Sequence, residues 1–221
     1  MPFQDRAAAG RELAALLTRY AHRTDVVVLG LPRGGVPVGY EVALRLQAPL
    51  DVLTVRKLGV PGHRELAMGA ISSGGHYVLD EELIGIARVS RDELLEVIRR
   101  ELAELDRREA LYRRDRFFPN LKDKIAIVVD DGLATGSTMT AAVKALRAQE
   151  PARIVVAVPV GAAQTCEQLR AYADEVVCVQ TPADFGAVGY HYRKFDQVSD
   201  DEVRAFLKRA ADLESKKWNV A

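Results

Sequence analysis

The chain is predicted to fold as an α/β domain, a mainly parallel sheet flanked by helices. Three observations carry this expectation. Short runs of β-branched residues alternate with helical patterns through brief connections, which favours a parallel sheet covered on both faces. Two of those runs, Val26 to Leu29 and Ile125 to Val129, are apolar throughout, as strands buried on both faces must be. Each is followed by a glycine-containing loop and then by an amphipathic helix.

Taken in order, residues from about Asp5 to Tyr20 form an amphipathic helix with Leu13, Leu16, Leu17 and Tyr20 on one face. The segment DVVVLGLPRGGVPVG, Asp25 to Gly39, gives a buried strand, a Gly/Pro-rich loop and a helix reaching Leu46. A strand from Asp51 to Val55 ends at Arg56 and Lys57. Leu58 to Gly75 is glycine-rich and is expected as a long loop or flexible hairpin, with His76 to Leu79 as its return strand.

From Ser90 to Arg116 the pattern becomes helical and densely charged. Leu94, Ile98, Leu102 and Leu105 make the apolar stripe, and Glu96–Arg100, Glu104–Arg108 and Glu109–Arg113 are spaced for i,i+4 pairing. Acidic residues interleave with the arginines, so this is read as a solvated or partner-packed helix rather than a nucleic-acid contact. It belongs to an insertion at about 80–116, an arm between the two halves of the core. Beyond it lie a strand at Ile125 to Val129, a helix carrying Met139, Ala142, Val143 and Leu146, and a strand at Arg153 to Val158. A helix at Gln164 to Tyr172, a strand at Glu175 to Val179 and a final helix at Asp200 to Leu213, capped by Ser199, complete the pattern.

The 221 residues are read as a single domain, 1–221, with 48% apolar and 28% charged side chains. Basic and acidic residues number 31 each, and this balance argues against a general nucleic-acid or membrane-surface binder. No apolar run is long enough to span a bilayer, and the N-terminus lacks a signal-peptide core, so a cytoplasmic location is expected. Cys166 and Cys178 have no metal-ligand spacing and are read as free, buried thiols.

The chemistry concentrates in IAIVVDDGLATGST, Ile125 to Thr138. A strand delivers the carboxylates Asp130 and Asp131, and a small-residue loop then opens a helix. Helix N-termini attract phosphate, and carboxylates accept sugar hydroxyls or hold Mg²⁺. A sugar phosphate, specifically a ribose 5-phosphate, satisfies both. The loop lacks the lysine of a Walker A motif. GLPRGGVPVG, Gly30 to Gly39, repeats the arrangement: Gly34 and Gly35 allow close backbone approach to an anion, and Arg33 can grip one bidentately.

DDGLATGST resembles the phosphoribosyl-pyrophosphate (PRPP) motif of the type I phosphoribosyltransferases, in a less characterised bacterial branch. The resemblance implies the fold of that family and a catalytic set of Asp130, Asp131, Lys57 and Arg33. It makes Ala134, Thr135, Gly136, Ser137 and Thr138 the 5-phosphate cradle. GLPRGG matches the family's pyrophosphate loop, so Arg33, Gly34, Gly35, Arg56 and Lys57 would bind pyrophosphate; a strained or cis peptide is expected among Leu31, Pro32 and Arg33. A mobile loop after Lys57 would close over the site, with His63 and Arg64 as further candidates. The segment ELAMGAISS, Glu65 to Ser73, recurs in the same branch without an assignable role.

A hood at about 181–196 would hold the acceptor through Asp184, Phe185 and Tyr190, or its aromatics simply pack the hood on the core. Mg²⁺ is the implied cofactor, on Asp130 and Asp131 directly or through water, and a homodimer the implied assembly. The implied reaction moves a 5-phosphoribosyl group from PRPP to a nitrogenous base or amine and releases pyrophosphate. Ala134 stands where the 6-oxopurine salvage enzymes carry an acidic base, so hypoxanthine and guanine are disfavoured; LATGST is closer to the adenine enzyme. Two alternatives remain. One is a non-catalytic PRPP- or nucleotide-sensing regulator of the same fold; the other is an enzyme of another phosphosugar or a hydrolase of ribosyl phosphates.

Overall fold

The structure, a computed structural model, describes residues 1–113 and 117–218, with backbone only at 64, 65 and 216–218. α1 (Arg6–Leu16) leads through a 3-10 turn at Thr18–Tyr20 into β1 (Val26–Gly30), α2 (Gly35–Leu46) and β2 (Leu50–Val52). Next come β3 (Val55–Val60), β4 (His63–Ser72), β5 (Tyr77–Leu79), α3 (Glu81–Ile86) and α4 (Arg91–Arg113). The second half runs β6 (Ile125–Val129), α5 (Ser137–Arg147), β7 (Arg153–Val160), α6 (Ala163–Leu169), β8 (Glu175–Gln180) and α7 (Asp200–Trp218).

Five strands form one sheet in the order β2-β1-β6-β7-β8, and every pairing in it is parallel. The apolar runs are continuous because alternate side chains enter two different cores. Val26, Val28, Ile125, Ile127, Val155 and Ala157 meet α1, α2 and α7. Val27, Leu29, Ala126, Val128, Ile154 and Val156 meet α5 and α6. Parallel strands place all their carboxyl ends at one edge, so the loops after β1 and β6, in adjacent strands, must lie side by side. Asp5 caps α1 by accepting from the N–H of Ala8 at 2.8 Å, and Ser199 caps α7 in a reciprocal box with Glu202.

One expectation is corrected and one pair of alternatives is decided. The strand expected from Asp51 to Val55 breaks at Leu53 and Thr54. Leu53 N–H still donates to Gly30 O at 3.0 Å, whereas Thr54 O already accepts from Ser73 N–H at 2.9 Å, so the chain changes sheets there. The region from Leu58 to Gly75 takes the hairpin form and not the loop: β3 and β4 pair antiparallel, and β5, at the expected return strand, completes a three-stranded sheet. Leu58, Val60, Met68 and Ile71 are buried against the Val97 and Leu105 stripe of α4, a third core joined by Leu94, Ile98 and Leu102. A methyl group at Gly69 would lie 2.4 Å from Val78 O, so that glycine serves close strand packing within the sheet rather than a loop.

The charged helix forms as expected, although 114–116 lie outside the described residues. Glu104–Arg108 and Glu109–Arg113 pair at 2.8 Å and 2.6 Å, while Arg100 turns to Glu101 instead of Glu96. Arg113 departs from the solvated reading. It is buried, donates to Asp51 and Ser73 Oγ at 3.0 Å each and to Val52 O, and so fastens the end of α4 to the edge of the main sheet. Among the described residues no helix is long and apolar enough to cross a membrane. Both cysteines are free; Cys166 is buried, but Cys178 only half so, and burial of the pair was expected.

Candidate active site

β6 ends at Val129 and delivers Asp130 and Asp131 to the carboxyl edge, where the loop after β1 lies against them. Leu31 N–H donates to Val129 O at 2.8 Å, and Gly35 N–H turns back to Leu31 O at 3.0 Å. The approach is closer than any side chain allows. A Cβ on Gly34 would sit 1.9 Å from Asp131 Oδ2, and one on Gly35 would sit 2.4 Å from Val129 O and 2.8 Å from Asp130 Cα. Gly34 has an ordinary helical φ of −64°, so proximity, not backbone conformation, requires glycine here. The Pro32–Arg33 peptide is cis, within the segment expected to hold such a bond.

The carboxylate pair is electrostatically crowded. Asp130 Oδ1 accepts the N–H of Asp131 at 2.8 Å. Burial pushes the Asp130 carboxyl well above the usual range, and the neighbouring Asp131 charge adds to this. Asp131 is also pushed up by burial, against the pull of Arg6. Arg6 was not anticipated: from the first turn of α1 its Nε and Nη2 each reach Asp131 Oδ2 at 2.9 Å. Its guanidinium lies 4.0 Å from the Phe195 ring centroid and donates to Asp196 O at 2.7 Å. Tyr192 Oη donates to Asp131 O at 2.6 Å. No local signal marks Arg6, because its partner lies 125 positions away.

The loop from Ala134 to Thr138 precedes α5. Gly136 takes the left-handed conformation at φ +67°, and a Cβ there would lie 2.5 Å from Thr165 Cγ2. Thr165 Oγ1 fixes the loop by donating to Ala134 O at 2.7 Å, and the Thr135 and Ser137 hydroxyls bond each other at 3.3 Å. The N–H groups of Thr135, Gly136, Thr138 and Met139 have no partner among the described residues, which is the form of an anion cradle.

Two cavities flank the Pro32–Arg33 peptide. The first, about 480 Å³, is walled by Leu31, Pro32, Arg56, Lys57, Arg100, Glu101, Arg108 and Thr138, among others. The second, about 290 Å³, is bounded by Pro32, Arg33, Arg107, Arg108, Tyr112 and Asp200, with Leu111. The structure thus brings Arg56 and Lys57 together with the start of α5 and sends the Arg33 side chain to the other side of its loop. Arg56 and Lys57 lie within β3 rather than at a strand end. Arg56 is held by Glu101, with Nη2 at 2.7 Å and Nε at 2.9 Å, while Lys57 is exposed. His63 sits exposed at the hairpin turn and lines neither cavity; the Arg64 side chain lies outside the described residues.

The hood follows β8 and is knitted to the chain's N-terminus. Phe3 N–H donates to His191 O and Arg193 N–H to Phe3 O, both at 2.8 Å. Phe185 stacks on His191 at 5.3 Å and packs with Phe3, Val160 and Tyr192, which is the packing reading of that ring. Tyr190 is 79% exposed, and Asp184 is exposed with no partner among the described residues. Val188 lies over Gly132, where a Cβ would come within 2.6 Å of it, so the hood contacts the acidic loop directly.

A parallel sheet with an acidic pair, a loop of unpartnered N–H groups and a glycine contact joining two strand ends defines an α/β domain with its candidate site at the carboxyl edge of the strands. The sequence profile of the phosphoribosyl transferase domain matches residues 3–194, and the chain belongs to that family. It is 51% identical over 208 residues to two Mycobacterium tuberculosis proteins, from strains CDC 1551 and H37Rv, each named "Putative phosphoribosyl transferase". The match covers 94% of this chain and 47% of each relative, so the chain spans about half their length. The crystal structure of TT1426 from Thermus thermophilus superposes with a TM-score of 0.85 at 43% identity, covering 95% of this chain and 99% of that one.

Proposed function

We propose that this domain is a PRPP-dependent phosphoribosyltransferase that transfers the 5-phosphoribosyl group to a nitrogenous base or amine and releases pyrophosphate. The carrying observation is the contact of Gly34 with Asp131, which joins the loop after β1 to the acidic pair and so sets two anion-binding loops around one sugar-binding point. In this reading the free N–H groups of Thr135, Gly136, Thr138 and Met139 hold the 5-phosphate, and Asp130 and Asp131 accept from the ribose hydroxyls. Lys57 and Arg56 face the pyrophosphate from the larger cavity, and Arg33 flanks its loop.

Departure of pyrophosphate from C1 leaves positive charge on the ribose ring. The adjacent carboxylates then stabilise that charge more than they stabilise the neutral ground state. The nitrogen nucleophile forms the new C–N bond as the C–O bond to pyrophosphate breaks. The donor set fits Mg²⁺, which is ordinarily held by one or two carboxylates, waters and substrate phosphates. Asp130 and Asp131 supply such a pair, and no cluster of three or more metal-ligating side chains occurs among the described residues. When bound, Mg²⁺ would neutralise the leaving pyrophosphate.

The test is pyrophosphate release from PRPP and Mg²⁺ across a panel of bases and amines, with ribose 5-phosphate titrated calorimetrically. Turnover with at least one acceptor is expected. Tight PRPP binding without turnover would favour the sensing alternative, and no ribose 5-phosphate binding would refute the site. Asp131→Asn is expected to fold and to lose most turnover; a normal rate would overturn the role of the pair.

A further inference from the structure

The charged helix α4 is an insertion in the chain, yet its side chains form a wall of the larger cavity. Arg100 and Arg108 line it opposite Arg56 and Lys57, and Glu101 is the acidic member of the lining. Among the described residues four cations face one carboxylate there, a strong imbalance for a chain whose formal charges cancel overall. The carboxylate is already engaged: Glu101 accepts from Arg56 at 2.7 Å and 2.9 Å and from Arg100 at 3.2 Å. Arg108 is tethered from outside, by Glu104 at 2.8 Å, and it also lines the second cavity beside Arg33 and Arg107. Its position is not accidental to a floppy helix. The stripe from Leu94 to Leu105 is packed on β3 and β4, and Arg113 anchors the far end to β2 through buried bonds.

We propose that α4 supplies the outer wall of the pyrophosphate site, with Arg100 and Arg108 as binding residues for the diphosphate group. The inference rests on the PRPP reading for the identity of that anion. Its geometry is independent of it: a diphosphate seated beside Lys57 and the Pro32 loop lies between β3 and α4, and guanidinium groups match phosphate oxygens bidentately. The inserted helix thereby takes over part of the cation supply for which the sequence offered only residues from Arg33 to Arg64.

The experiment is calorimetric titration of inorganic pyrophosphate into the whole chain, with ribose 5-phosphate titrated separately as a check on the fold and the cradle. Arg108→Ala and Arg100→Ala are compared with Arg99→Ala, an exposed neighbour on the same helix that does not line the cavity. Each of the first two should weaken pyrophosphate about tenfold or more, as expected for losing a charge-assisted contact, with ribose 5-phosphate unchanged. Arg108→Lys should restore part of the loss. Unchanged pyrophosphate affinity in both alanine variants would overturn the proposal, as would an equal loss in Arg99→Ala. If wild-type protein failed to bind ribose 5-phosphate, the PRPP reading would fall, whereas the α4 wall would still be decided by the pyrophosphate isotherms.

Discussion

Gly34→Ala is the sharpest probe of how the two loops are joined. The new methyl would lie 1.9 Å from Asp131 Oδ2 and 2.6 Å from Asp131 Cγ, so one of the two residues must move. Alanine suits a φ of −64°, which removes backbone strain from the account. Asp131 is the movable part, but swinging its carboxylate breaks the bonds from Arg6, in which the two side chains are 12% and 16% exposed. Exposed ion pairs are worth under about 1 kcal/mol, and breaking fully buried ones costs about 3–5 kcal/mol. This pair lies between, so a loss of about 2 kcal/mol is expected in urea unfolding. Ribose 5-phosphate should bind at least about tenfold more weakly, since the proposed acceptor for its hydroxyls is displaced. A double-mutant cycle tests the cause. With Arg6→Met in place Asp131 is already released, so Gly34→Ala should cost less than about 1 kcal/mol in that background. A Gly34→Ala protein with native stability and binding would refute the contact, and strict additivity with Arg6→Met would refute the explanation.

Three further outcomes follow from the same geometry. Gly136→Ala combines a φ of +67° with a Cβ 2.5 Å from Thr165 Cγ2, so it should lose about 1–3 kcal/mol of stability and weaken ribose 5-phosphate; unaltered binding would remove the cradle. Glu101→Gln takes the negative charge out of the larger cavity and should tighten inorganic pyrophosphate severalfold, read by calorimetry; weaker binding would mean that Glu101 acts mainly by holding Arg56 in place. Tyr112 donates to Asp200 at 2.6 Å, and burial with that carboxylate pushes its phenol up to about 12. Its folded value is raised, so the stabilisation is fully present below the unfolded value of about 10 and is lost as pH rises toward 12. Tyr112→Phe should thus be less stable by about 1–2 kcal/mol at pH 7, and thermal melts of the two proteins should converge above pH 10.

The main sheet was legible because its strands are apolar at every position, the pattern of strands with a core on each face, and because each run stops at a glycine or acidic loop. The antiparallel sheet was legible only as one of two alternatives, a hairpin with its return strand or a long loop. Gly59, Gly62, Gly69, Gly74 and Gly75 imitate a loop, while the side chains that stabilise its strands are on α4, tens of residues later. Local pattern cannot report such a partner. The charged helix misled in the opposite way. Its i,i+4 pairs are real at Glu104–Arg108 and Glu109–Arg113, but pairing along a helix does not say what else an arginine touches, and Arg113 is buried beneath β2.

The candidate site divides along the same line. The part proposed to hold the donor, namely the acidic pair, the loop before α5 and the glycine loop, lies within two short segments, so residue type and spacing suffice to pick those segments out. The site's other half is made of single side chains from remote places. Arg6 on α1 grips Asp131, Tyr192 reaches the same residue, Phe195 covers Arg6, and Val188 covers Gly132. Phe185, a candidate for stacking on an acceptor, is instead committed to His191 and Phe3, and Tyr190 points away into solvent. In the proposed reading, an acceptor bound beside Asp131 would meet the Arg6–Asp131 pair, whereas Phe185 is already engaged by His191 and Phe3. Its selection should accordingly depend on hydrogen-bonding and charge more than on stacking. Acceptor panels therefore ought to vary polar and charged substituents at constant ring size.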